Sequence, residues 1–117
     1  SDARLKANVT QLTCVLDKIE RIRGVSFEWN ETAKSVGATP GQKQIGVIAQ
    51  DVEAVFPELV STGSDGYKSV DYTKLTAVLV EAVKELRSKN ELLQQRIEAL
   101  ERAVQGSRVP GLKEVDK

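Results

Sequence analysis

Over the last third of this chain apolar residues recur in steps of three and four, and that period constrains what the rest can be. From Tyr72 to Val104 they fall at Leu79, Val83, Leu86, Leu93, Ile97, Leu100 and Val104. Written as heptads, Leu79, Leu86, Leu93 and Leu100 take position d, Val83, Ile97 and Val104 take a, and Asn90 is the polar residue at a. A stripe this narrow suits a coiled-coil seam better than the surface of a globular core. The spacing predicts a helix over 72–105, about 50 Å long at about 1.5 Å per residue, in a chain that oligomerises. Asn90 reads as a register-setting residue rather than a ligand. In a parallel arrangement Arg96 at g meets Glu101 at e of a neighbour, and an antiparallel one offers no pairing as clear. Branched a residues with leucine at d lean slightly toward two strands. Upstream, Leu75, Val78 and Ala82 broaden the apolar face, so the first turns should pack on a head, its own or a neighbour's. The strict seam should begin near Val83.

About 70 residues remain for that head, a size at which one core is marginal and oligomerisation commonly supplies the missing burial. Lysine and arginine number 17, aspartate and glutamate 17, for a formal net charge of zero. Both signs are interspersed, so the basic stripe that binds phosphates is missing and no nucleic-acid partner is expected. No apolar run approaches the ~18 residues of a membrane span and no signal-peptide pattern opens the chain, so no membrane partner is expected. Cys14 is the one cysteine. It stands among Leu12, Val15 and Leu16 and reads as a small buried apolar residue.

Within the head, Val9, Leu12, Val15, Leu16, Ile19 and Ile22 follow helical spacing and predict a short amphipathic helix that Gly24 stops. Val25-Ser26-Phe27-Glu28-Trp29 alternates with period two, a strand showing Val25, Phe27 and Trp29 to one side. Asn30 to Gln44, with Gly37, Pro40 and Gly41, reads as an exposed loop. Ile45 to Ala49 reads as a second strand, followed by a brief helix that Asp51 caps and Pro57 closes. Glu58–Thr62 and Tyr67–Val70 read as strands around the turn Gly63-Ser64-Asp65-Gly66. The expected fold is α+β: a small mixed head over 1–71, a long C-terminal helix as a coiled-coil stalk over 72–105, and a disordered tail over 106–117.

The absence of histidine removes a Ser-His-Asp triad, a Cys-His pair and most zinc sites within one chain. A single cysteine removes four-cysteine metal sites, and neither metal nor cofactor is expected. Gly37-Ala-Thr-Pro-Gly41-Gln-Lys43 fails the phosphate-loop pattern in spacing and lacks a Ser or Thr after the lysine. Asp2, Asp17, Asp51, Asp65 and Asp71 are scattered and read as caps and solvated charges. What remains is a serine with a lysine as base, Ser1 with Lys6. A lysine takes a proton only when neutral, which requires burial or a neighbouring cation such as Arg4. The spacing alone is unspecific, and it sets the two about 140° apart on a helix and on opposite faces of a strand. They could meet only across a turn or between subunits.

Several blocks, in order, carry a resemblance. Ser1-Asp2-Ala3-Arg4-Leu5-Lys6-Ala7-Asn8-Val9, Leu16-Asp17-Lys18-Ile19 and Gly24-Val25-Ser26-Phe27-Glu28-Trp29 are three of them. Ile45-Gly46-Val47-Ile48-Ala49-Gln50-Asp51-Val52, Phe56-Pro57-Glu58-Leu59-Val60 and Val70-Asp71-Tyr72 are the others. From Ser1 to about Leu86 the chain resembles the endosialidase-type intramolecular chaperones, also classed as peptidase family S74. Members sit at the C-terminus of phage tailspikes, tail fibres and neck appendages, and in some eukaryotic membrane-bound transcription factors. The resemblance implies a homotrimer that guides assembly of the fibrous, often β-helical client upstream in the same precursor, then cuts itself off before the motif serine. It gives Ser1 the role of nucleophile and Lys6 that of general base; Asp2 and Arg4 match the motif without an assigned role. Ser1 would attack the carbonyl of the preceding residue, and water would resolve the ester.

On this reading the chain, opening at Ser1, is the spent product of a single turnover or a chain cut to that boundary, inactive on other proteins. Its place of action is the host cytoplasm during virion assembly, with release from the mature fibre after cleavage. The resemblance implies three strands where the heptads lean to two. Two further readings stay open. One is a structural trimerisation domain that never cuts. The other is an adaptor head on a coiled coil, which would expose a large apolar patch. Residues 31–44 are where a client contact could lie, if they are more than a solvated loop.

Overall fold

Alternation along β1 (Gly24–Glu28) half-buries Val25 and Phe27 and exposes Ser26 and Glu28, as period two requires. In the computed structural model, which describes residues 1–107, β1 pairs antiparallel with β2 (Lys43–Val47), Gly24 opposite Val47 and Glu28 opposite Lys43. Trp29 prolongs the pairing: its N–H donates to the Gln42 carbonyl (3.3 Å) and its carbonyl accepts from Gly41 (2.9 Å). Its ring meets Phe27 edge to face at 5.0 Å. The connection between the strands is more ordered than the expected loop. Asn30 accepts from the Ala33 N–H (3.1 Å) and opens a 3-10 turn over Glu31–Val36, which Gly37 ends in the left-handed region at φ 85°.

The second strand begins two residues before the expected Ile45 and stops at Val47, because pairing with β1 sets its ends. Ala49 therefore belongs to α2 (Ala49–Val55), whose N-cap is Ile48 rather than Asp51. Asp51 lies in the first turn, where a negative charge suits the helix dipole, and it pairs with Arg23 at 2.9 Å. Pro57 follows α2 as expected, opening a 3-10 turn over Pro57–Leu59. β3 (Val60–Thr62) and β4 (Lys68–Val70) form a second two-stranded sheet, Val60 opposite Val70. The Gly63–Gly66 turn closes with Gly66 N–H to the Gly63 carbonyl (3.0 Å), and Gly66 takes φ 85°.

Asp71 starts α3 (Tyr72–Ser107). Its Oδ1 accepts from the N–H groups of Thr73 (3.0 Å) and Lys74 (3.2 Å), a helix cap. Its own N–H donates to the Leu59 carbonyl at 2.8 Å, which ties the first turn to the head. At about 1.5 Å per residue α3 is about 54 Å long and accounts for most of the 71 Å long dimension. It continues past the expected end at 105 to Ser107. The rest of the expected tail, 108–117, lies outside the described residues.

The buried core is small: Val15, Val52, Phe56, Leu59, Val78 and Ala82, with Leu16, Ile19, Ile22, Val47, Val55, Val60, Val70 and Leu75 packed around it. The upstream half of α3 thus packs on its own head through Leu75, Val78 and Ala82. The N-terminal helix is shorter than its period suggests. Only α1 (Val15–Ile19) forms, because Asn8 (φ 54°) and Cys14 (φ 55°) are left-handed and interrupt any longer helix. Val9 is 77% exposed and Leu12 is also exposed, so the burial that would favour a longer helix is absent. Cys14 is exposed rather than buried; with the helix starting one residue later, Val15 enters the core instead. Gly24 opens β1 and plays no part in stopping α1.

Candidate functional site

The residues singled out for chemistry lie on an exposed arm, 1–14, that precedes α1. Asp2 caps a 3-10 turn over Ala3–Leu5, its Oδ1 accepting from the Arg4 N–H at 2.9 Å. The Arg4 guanidinium closes back on the same carboxylate through Nε (3.1 Å) and Nη2 (2.8 Å). The Arg4 side chain, and then its N–H, hold the Asp2 carboxyl below the ordinary value. Lys6 N–H donates to the Ala3 carbonyl (3.2 Å) and ends the turn. Ser1 and Lys6 therefore flank a turn, the geometry their spacing demands if they are to meet within one chain. Among the described residues no hydrogen bond joins them, and both are exposed. Arg4, the cation expected beside Lys6, is instead engaged by Asp2.

Two carboxylates that sequence reasoning passed over hold the base of this arm. Glu85 on α3 is half-buried and spans the start of α1: its Oε1 accepts from Val15 N–H and its Oε2 from Leu16 N–H, both at 3.0 Å. α1 has no cap from its own neighbour Cys14, and Glu85 supplies one from 70 residues away. These bonds, Leu16 first and then Val15, hold the Glu85 carboxyl below its ordinary value. One turn earlier Glu81 accepts from Gln11 Nε2 at 3.2 Å and pairs with Lys84 at 3.1 Å. Gln11, Cys14 and Leu16 on one side and Glu81, Glu85 and Lys89 on the other are among the residues that line a shallow cleft between the arm and α3. Nothing in the sequence pairs positions so far apart.

The a and d residues of α3 form the third element. Leu79, Val83, Leu86, Leu93, Ile97, Leu100 and Val104 are each between 40% and 66% exposed, and from Leu86 onward no described residue of the helix is buried. Helical geometry at about 100° per residue sets this stripe about 50° around from the face of Leu75, Val78 and Ala82 that packs on the head. The helix thus has one apolar face engaged and another open.

A sequence profile described as chaperone of endosialidase matches residues 1–61. The chain is 34% identical over 101 residues to the long tail fiber protein Gp37 of Enterobacteria phage K3, covering 83% of this chain and 8% of that protein. It is equally similar to the Gp37 protein of Enterobacteria phage T2, with 7% of that protein covered. With the Gp37 protein of Salmonella phage S16 it shares 31% identity over 86 residues, 71% of this chain and 12% of the relative. The chain spans less than a tenth of the length of the first two.

Proposed function

The chain belongs to the chaperone-of-endosialidase family, and on that premise we propose that it is an intramolecular chaperone for a phage tail-fibre protein. It trimerises, assists folding of the fibrous segment upstream, then releases itself by cleavage on the N-terminal side of Ser1. Residues 1–71 act as the head and 72–105 as a coiled-coil stalk, working in the host cytoplasm while virions assemble. The observation that carries this reading is the a/d stripe on α3, whose residues stay 40–66% exposed among the described residues of a single chain. A helix of this kind is poorly stable alone in water, and a head with so small a core gains from partner copies.

Assembly through head and stalk raises the effective concentration of the upstream chains and lowers the entropic cost of starting an intertwined fold. Ser1 Oγ attacks the preceding carbonyl while Lys6 takes the hydroxyl proton. The C–N bond to Ser1 then breaks, its nitrogen takes the proton back from Lys6, and water hydrolyses the ester to free the upstream carboxyl group and the Ser1 hydroxyl. Removing the chaperone leaves the fibre behind a kinetic barrier to unfolding. The absence of a Ser1–Lys6 hydrogen bond within one chain favours closure of the pair only on assembly. It equally motivates the second reading, a permanent trimerisation cap that never cuts. The test is the precursor with its upstream segment, as parent, Ser1→Ala and Lys6→Ala, followed by intact mass and light scattering. Two fragments from the parent, the second beginning at Ser1, and uncut trimers from both variants are expected. An uncut trimeric parent would leave only the structural cap.

A further inference from the structure

The direction of the arm is set from the stalk. Cys14 holds φ 55°, a conformation disfavoured for a residue with a side chain. A left-handed residue followed by helical ones turns consecutive N–H groups toward one point, a concavity that accepts an anion. Glu85 occupies it with one oxygen on each of Val15 and Leu16, and the Cys14 N–H adds a weaker attraction. Glu81 holds Gln11 one helical turn away. The two carboxylates grip residues 11–16. Lys6, five residues before Gln11, can lie no more than about 18 Å from that anchor. The same turns of α3 carry Val83 at a and Leu86 at d, the start of the strict seam, on faces turned away from the arm.

We propose that Glu85, supported by Glu81, is the positioning residue for self-cleavage. It holds the arm bearing Ser1 and Lys6 in one direction relative to α3, so that packing the seam aligns the arms of all copies together. This rests on the self-cleaving reading above. A carboxylate suits the task because it offers an oxygen to each of two N–H groups, whereas a glutamine offers one.

The test uses the precursor with its upstream segment as parent, Glu85→Ala and Glu85→Gln, with cleavage rate, oligomer mass by light scattering and hydrogen exchange of the Val15 and Leu16 amides. Glu85→Ala should keep the parental oligomer mass, cut about tenfold to a hundredfold more slowly, since small misplacements cost that much, and lose protection at the two amides alone. Glu85→Gln, with one acceptor left, should recover part of the rate, which a purely architectural role would not produce. Cleavage of Glu85→Ala at the parental rate would overturn the proposal while leaving self-cleavage standing. Loss of cleavage in step with loss of oligomer mass would also overturn it, since Glu85 would then act only on assembly. A parent that does not cut removes the self-cleavage reading and this inference with it.

Discussion

Leu92 and Leu93 are neighbours on α3 with nearly the same exposure, 49% and 51%, yet the heptad register puts Leu93 at d and Leu92 at c, off the seam. Truncating each to alanine separates the seam from general hydrophobicity. Full burial of a leucine side chain stabilises by about 1.5–3 kcal/mol. With half of Leu93 still open in one chain, partner copies can add about 0.8–1.5 kcal/mol per copy. Over three copies the loss in Leu93→Ala is about 2–5 kcal/mol, which corresponds to a weakening of assembly by about 30-fold to a few thousandfold. Leu92→Ala keeps a strong helix former and loses no partner contact, so its effect should stay within about threefold. Sedimentation equilibrium of the 117-residue chain across a concentration series reads both. If Leu92→Ala weakens assembly as much as Leu93→Ala, the register is wrong. If neither changes it, the open stripe is not the interface.

Three further outcomes are expected. Glu85 and Glu81 are both held below their ordinary value of 4.5, Glu85 by the Leu16 and Val15 N–H groups and Glu81 by Gln11 and then Lys84. A carboxyl depressed in the folded state contributes fully above its unfolded value and loses that contribution as pH falls through the folded value. The melting temperature should therefore decline below about pH 4.5, and Glu85→Gln should show a shallower acid limb in a calorimetric pH series. Asp71→Ala removes the cap of α3 and should cost about 1 kcal/mol, seen as a lower urea midpoint with an unchanged slope. A Cβ at Gly46 would lie 2.9 Å from the Tyr72 hydroxyl and 3.4 Å from the Phe27 ring. Gly46→Ala should displace that hydroxyl from the Val47 N–H it accepts from, destabilising by about 1 kcal/mol. In a Tyr72→Phe background the same substitution should cost less, and equal costs in the two backgrounds would discard the explanation.

The four expected strands, the turn between the last two and the long helix were readable because each is written in a local period or turn, whereas the pairing of β1 with β2 was not. Val25 and Phe27 alternate, Gly63-Ser64-Asp65-Gly66 bends, and the heptads of α3 repeat. Errors came where a local signal needed a tertiary partner. The spacing of Val9 and Leu12 is helical, but the head offers them no cover and no helix forms there. Asp51 has the chemistry of a cap, yet pairing with β1 ends β2 at Val47 and places Asp51 inside the first turn.

By itself, then, the sequence determined the long helix and the period of its apolar stripe, because periodicity is a property of neighbours along the chain. The pairing of Ser1 with Lys6 rests instead on the family resemblance, their spacing alone being unspecific. Only the tertiary structure decided which face of α3 meets the head, where α1 begins, and that Glu81 and Glu85 hold the arm. Those contacts join residues about 70 positions apart, and no local propensity records a hydrogen bond that exists only once both ends have been brought together.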